Sequence, residues 1–138
     1  MYGDPDAIRG LARALRDRAD EIRDHAARLS ASAVEVPWEG CAADAMRHHL
    51  RDQVGALFRT ARLHDDAAEA LDRHAREVER LQDLIAAIER RALHLLDAAR
   101  DTITGLVDKV TGDDLLDRFV PPPPGSREWL TVDLQALA

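Results

Sequence analysis

The chain has 138 residues, enough for one domain and too few for two ordinary ones. Its net charge of -7 excludes the basic stripe that a duplex-binding protein uses to displace counterions from phosphate, and it argues against an anionic membrane surface. Apolar residues make up 46% but aromatics only 4%, so alanine supplies much of the apolar content; with 33% charged residues, that composition suits close-packed helices with one wet face.

The first element opens at Asp4-Pro5-Asp6, where an aspartate can cap orphan amides, a first-turn proline is welcome and an acid complements the helix dipole. Ile8, Leu11, Leu15, Ala19, Ile22, Ala26 and Leu29 then recur in steps of three and four, which draws one apolar stripe. This predicts a helix over about residues 4–33, with Arg9, Arg13, Arg16, Asp17, Asp20 and Asp24 on the wet side.

Val34-Glu35-Val36-Pro37 breaks the pattern, because two β-branched residues and a proline disfavour helix. A turn over residues 34–40 is expected. Trp38 reads as a plug closing the end of a helical bundle, and Gly40 as a backbone angle that other residues refuse.

The second run is long. Ala43, Leu50, Leu57, His64, Leu71, Val78, Ile85, Ala92, Ala99 and Leu106 are spaced by seven, with a companion set at Met46, Val54, Ala61, Ala68, Ala75, Leu81, Ile88, Leu95 and Ile103. An unbroken helix from Cys41 to Val110 would extend ~105 Å. Interruptions are therefore expected near His64-Asp65-Asp66, where an aspartate can cap a new helix, and near Gly105 or Gly112. The second helix is placed over about residues 41–99, with a short helical extension to 119 that includes a turn at 114–119. Residues 1–120 thus form a helical-hairpin domain, and residues 121–138 a tail tethered by the polyproline spacer Pro121–Pro124. Within that tail Leu130, Val132 and Leu134 alternate like a strand, whereas Ser126 with Glu128 can open a helix; position alone favours mobility.

A first helix of this length shields only the first ~45 Å of an antiparallel neighbour. Leu71, Val78, Leu81, Ile85, Ile88 and Leu95 are then left without cover from the chain, which forfeits several kcal/mol at ~25 cal/mol per Å². Either the helix bends back on itself or another chain covers this seam, and self-association is the simplest form. The expected fold is an all-α antiparallel hairpin that completes a four-helix bundle by dimerisation.

An amphipathic helix, a Trp38-Glu39-Gly40 turn, and Cys41-Ala42-Ala43-Asp44-Ala45-Met46 opening a second amphipathic helix resemble the Trp-x-Gly (WXG) family of proteins associated with type VII (ESX) secretion in actinobacteria and relatives. The resemblance covers roughly residues 4–84 and rests on Trp38 and Gly40, with Ala42, Ala43 and Met46 at the second helix start. It implies two antiparallel helices, pairing with itself or a related hairpin protein, and export without a cleaved signal peptide. Met1-Tyr2-Gly3-Asp4 has no signal-peptide character. Tyr2 is the only tyrosine, so the family's Tyr-x-x-x-Asp/Glu export signal has no counterpart after the second helix, and export would rest on a partner. The alternative is a cytoplasmic helical adaptor or antitoxin-like binder that clasps one specific protein.

Residues that would signal chemistry are scattered. None of the six histidines has an acid three positions before it, as helical carboxylate-bridged metal sites require, so no metal or other cofactor is expected. Cys41, the only cysteine, excludes an internal disulfide, and no histidine is placed by sequence to activate it. Gly55, Gly105 and Gly112 are isolated and form no phosphate loop. No apolar run reaches the ~20 residues of a membrane span. No enzymatic activity, small-molecule substrate, nucleic acid or membrane insertion is expected. His64 stands out because it occupies a seam position, where protonation near its reference pKa of ~6.5 would loosen a helix interface.

Overall fold

The structure, a computed structural model, describes residues 3–104 and 119–135. Two α-helices, α1 (Pro5–Glu35) and α2 (Cys41–Thr104), are followed by a short 3-10 helix, Arg127–Thr131, and no strand occurs among the described residues. The all-α expectation is met, with Pro5 as the first helical residue. The break expected at His64–Asp66 is absent: α2 passes straight through it. Asp65 does not cap a new helix there, because its carboxylate is bonded to Arg23 on α1. The interruptions expected at Gly105 and Gly112 and Leu106 in the heptad series fall outside the described residues; of the extension expected from 99 to 119, residues 100–104 continue α2, Phe119 is not helical, and the rest falls outside the described residues.

The described residues pack as two compact units: Pro5–Ala75, and the described parts of Arg76–Ala138 together with Gly3 and Asp4. In the first unit α1 and the opening half of α2 form an antiparallel hairpin. Its buried residues include Ala12, Ala19 and Ala26 on α1 and Ala61, Ala68 and Ala75 on α2, all without exposed surface. Alanine carries nothing past Cβ, so a seam with alanine at every seventh position draws two helix axes close and excludes longer side chains from the line of contact.

Charge fixes the register. Arg16 Nη2 donates to Asp72 Oδ2 at 2.5 Å, and Arg23 Nη2 donates to Asp65 Oδ2. A step of seven forward on α1 is matched by a step of seven back on α2, as antiparallel pairing requires. Hydrogen bonding to Asp72 and to Asp65 raises the pKa of Arg16 and Arg23 respectively above the ordinary arginine value. Both pairs face water and add little stability. Their consequence is alignment.

In the second unit the same helix is covered differently. Val78 is buried beside Gly3, which has a positive φ of 68°; a Cβ there would stand 3.0 Å from Val78 Cγ1. Gln82 Nε2 donates to the Gly3 carbonyl at 3.0 Å. Further along, Trp129 covers Ile85 and Ala92, and Ile88, Phe119, Val132 and Leu134 pack around them. The described part of the tail is therefore a packed strap. Of the two tail geometries offered by the sequence, the helical one is found: Ser126 caps the 3-10 helix, its side chain accepting from Glu128 N.

We predict that Ala68→Leu costs about 1–3 kcal/mol by overpacking the hairpin seam. The exposed neighbour Ala67→Leu should leave the urea midpoint almost unchanged, so the paired denaturation curves measure how tightly the helices approach.

Candidate docking surface

The hairpin turns within five residues, Val36–Gly40. Trp38 N donates to the Val36 carbonyl at 2.8 Å, closing a three-residue turn about Pro37. Gly40 has φ 104°, a conformation L side chains rarely adopt, and its carbonyl accepts the first α2 bond from Asp44 N at 3.0 Å. Arg47, one helical stretch further on, reaches back: its Nη2 donates to the Trp38 carbonyl at 2.5 Å and approaches the Val36 carbonyl at 3.5 Å. These two carbonyls are left outside both helix ladders, and the guanidinium satisfies them.

Trp38 does not plug the bundle end. It is 45% exposed, next to the exposed Val34 and Val36. With the turn held by Pro37, Gly40 and Arg47, the indole is left on the outer surface of the tip. Between the two helices of the hairpin a pocket of about 390 Å³ is lined by Ser30, Ala33, Val34, Arg47, Leu50, Arg51 and Val54.

The alanine seam sorts the remaining side chains onto two flanks. Residues four after each seam alanine lie on one side of the contact and residues three after it on the other, since successive residues advance 100° around a helix. The first flank holds Arg16, Arg23, Asp65 and Asp72, the ion pairs described above. The second holds Ile8, Leu15, Ile22 and Leu29 from α1 and Leu50, Leu57, His64 and Leu71 from α2, every one of them half-buried. Leu11, expected within the buried stripe of α1, is instead 60% exposed at the margin of this flank, because the seam is centred on Ala12. Leu11, Ala14, Leu15, His64 and Leu71, with the charged Asp17, Arg18 and Glu21, line an open groove of about 570 Å³ there. His64 Nδ1 lies 2.9 Å from the Thr60 carbonyl; a carbonyl only accepts, so the proton is on Nδ1.

The seam residues expected to await a partner divide into two groups. Val78 and Ile85 are 3% and 1% exposed, covered by the chain's own Gly3 and Trp129, and are not free for another molecule. Leu71, Leu81, Ile88 and Leu95 are half-buried. Two contributors were not foreseen from sequence, Arg47 and Trp129. Arg47 carried no local signal, being one arginine among many. Trp129 did carry one: a large aromatic beyond four prolines, in a chain with few aromatics, is costly to leave in water.

Cys41 is exposed at the first residue of α2, and His48 pairs with Asp52 across one turn at 3.7 Å. Among the described residues no three His, Cys, Asp or Glu side chains converge in a way that could hold a metal ion, and no helix is long and apolar enough to cross a membrane. Comparison with known proteins finds no matching family model, no matching curated protein and no matching solved structure.

Because Trp38 is only partly covered, at 45% exposure, Trp38→Ala should cost less than the ~3–5 kcal/mol of a fully buried tryptophan, about 2 kcal/mol or under. Thermal or urea denaturation checks this; a loss of several kcal/mol would mean that the indole is an internal plug after all.

Proposed function

We propose that this chain is a non-enzymatic interaction module whose hairpin pairs with a second copy, or with a related hairpin, through the apolar flank of Ile8, Leu15, Ile22, Leu29, Leu50, Leu57 and Leu71. The observation that carries the reading is the asymmetry of the hairpin. One flank is closed by ion pairs, while the other presents a row of half-covered aliphatic side chains broken only by His64. Burying the remaining surface of each is worth on the order of 1 kcal/mol at ~25 cal/mol per Å², enough in sum to offset the entropy lost on association. Two such hairpins placed flank to flank make a four-helix bundle.

The placement of Trp38 and Gly40 between α1 and α2 supports the resemblance to Trp-x-Gly proteins of type VII secretion. On that reading the chain is a substrate of such machinery or the partner of one, released without signal cleavage. The exposed indole at the hairpin tip is then a surface that other components of the pathway contact.

Light scattering on the full chain at micromolar concentration should give a mass near twice that of the monomer, and Leu57→Glu should return it to one chain without loss of helicity. A compact wild-type monomer would contradict self-pairing and favour a clasp for a different protein. His64 supplies a second test. Its imidazole is the polar member of that row of leucines, so His64→Leu should tighten self-association in light scattering. Unchanged association in the leucine variant would remove His64 from the mechanism.

A further inference from the structure

Ion pairs close one flank of the hairpin along only part of its length. Where α1 carries Arg16 and Arg23, α2 answers with Asp72 and Asp65. One more step of seven in the same antiparallel register sets Ser30 against Phe58, and the pairing stops. The cause is in the sequence: residues 25–34 of α1 and residues 53–64 of α2 contain no aspartate or glutamate, although the chain has 26 acids in all. The register lays these two stretches side by side, so they make one acid-free band across the hairpin.

That band still carries cations. Arg28, Arg59 and Arg62 lie in it, and none of the three has an ionic partner among the described residues. By contrast, the exposed Arg18, Arg73 and Arg80 each meet a glutamate within about one turn. Arg59 and Arg62, with Arg23 and Phe58, line a hollow of about 290 Å³. Arg23 is already engaged by Asp20 and Asp65, so Arg59 and Arg62 are the uncommitted charges there. Arg59 folds back towards Gly55, where an added Cβ would stand 3.4 Å from its Nη1. Phe58, 46% exposed, is the apolar element of the hollow.

What the hollow lacks is an acid, and the partner that fits it brings one. A guanidinium holds a carboxylate through two parallel hydrogen bonds, and a half-exposed phenyl ring gives an apolar side chain a surface to stack on. A long polyanion fits less well. The net charge of -7 repels it at a distance, and two free guanidiniums give it few contacts.

We propose that Phe58, Arg59 and Arg62 form a docking site for an acidic peptide segment of a partner protein, in which an aromatic residue flanked by aspartate or glutamate stacks on Phe58 and its acidic neighbours pair with the two arginines. The occupant is argued from charge: this is hairpin surface where the two helices supply cations and no acid. The site lies on the flank away from the row of Ile8, Leu15, Ile22 and Leu29, and it does not rest on self-pairing.

Fluorescence anisotropy of the labelled peptide Glu-Asp-Phe-Asp-Glu, its remaining end blocked, with the full-length chain tests the site. Binding should saturate, weaken with added salt, and fall about tenfold or more when Arg59→Ala and Arg62→Ala are combined. Phe58→Ala should also weaken it, and circular dichroism verifies that each variant remains helical. If Phe58→Ala loses helicity, the peptide Glu-Asp-Gly-Asp-Glu reads the same stacking against the parent chain and should bind more weakly. Arg80→Ala, which removes a guanidinium already paired with Glu77, should bind as the parent does. Absence of saturable binding, or equal binding by the Arg59→Ala, Arg62→Ala chain, would overturn the proposal. So would tighter binding of an oligothymidylate of equal charge, which would make the site one for nucleic acid.

Discussion

Close approach of two helices along a line of alanines is the constraint on which the hairpin depends. Because Ala12, Ala19 and Ala26 on α1 and Ala61, Ala68 and Ala75 on α2 are fully buried, the contact line has no room for the leucines and isoleucines of either helix. Those side chains are displaced to one flank, where a two-helix structure can cover them only in part. An alanine seam therefore brings the helices together and, by the same geometry, leaves an apolar face unfinished. The arginine–aspartate pairs on the opposite flank settle which face that is.

Burial along α2 does not stay on one heptad series. Within the hairpin the buried line is Ala61, Ala68 and Ala75, and Leu57, His64 and Leu71 are half-covered. In the second unit the buried line is Val78, Ile85 and Ala92, and Leu81, Ile88 and Leu95 take the half-covered role. The change follows from what does the covering. An antiparallel helix packs on alanine, whereas Gly3 fits against Val78 and the indole of Trp129 against Ile85 and Ala92. The chain thus supplies two different covers to one continuous helix.

Much of the helical architecture was legible in the residues. Period and caps placed α1 within about two residues of its ends, and the proline and glycine around Trp38 located the turn. The buried stripe of α1 was legible in part: Ala19 and Ala26 belong to it as expected, but hydropathy ranks leucine above alanine and so drew the line through Leu11 rather than Ala12. The uninterrupted course of α2 was missed for a related reason: Asp65 has the chemistry of a cap, and only the facing helix shows that Arg23 claims its carboxylate. The strap was hardest to foresee. Its order comes from Trp129 meeting Ile85 and Ala92, residues 44 and 37 positions away, and local pattern carries no information about such a meeting.

Whether the unfinished flank is covered in solution can be read residue by residue. Carbene footprinting of the wild-type chain across a range of concentrations should show labelling of Leu15, Ile22, Leu57 and Leu71 falling as the protein is concentrated. Phe58, 46% exposed on the charged side, should stay equally reactive throughout. Labelling of the four flank residues that is independent of concentration, and as strong as that of Phe58, would contradict the account, since the flank would then remain in water.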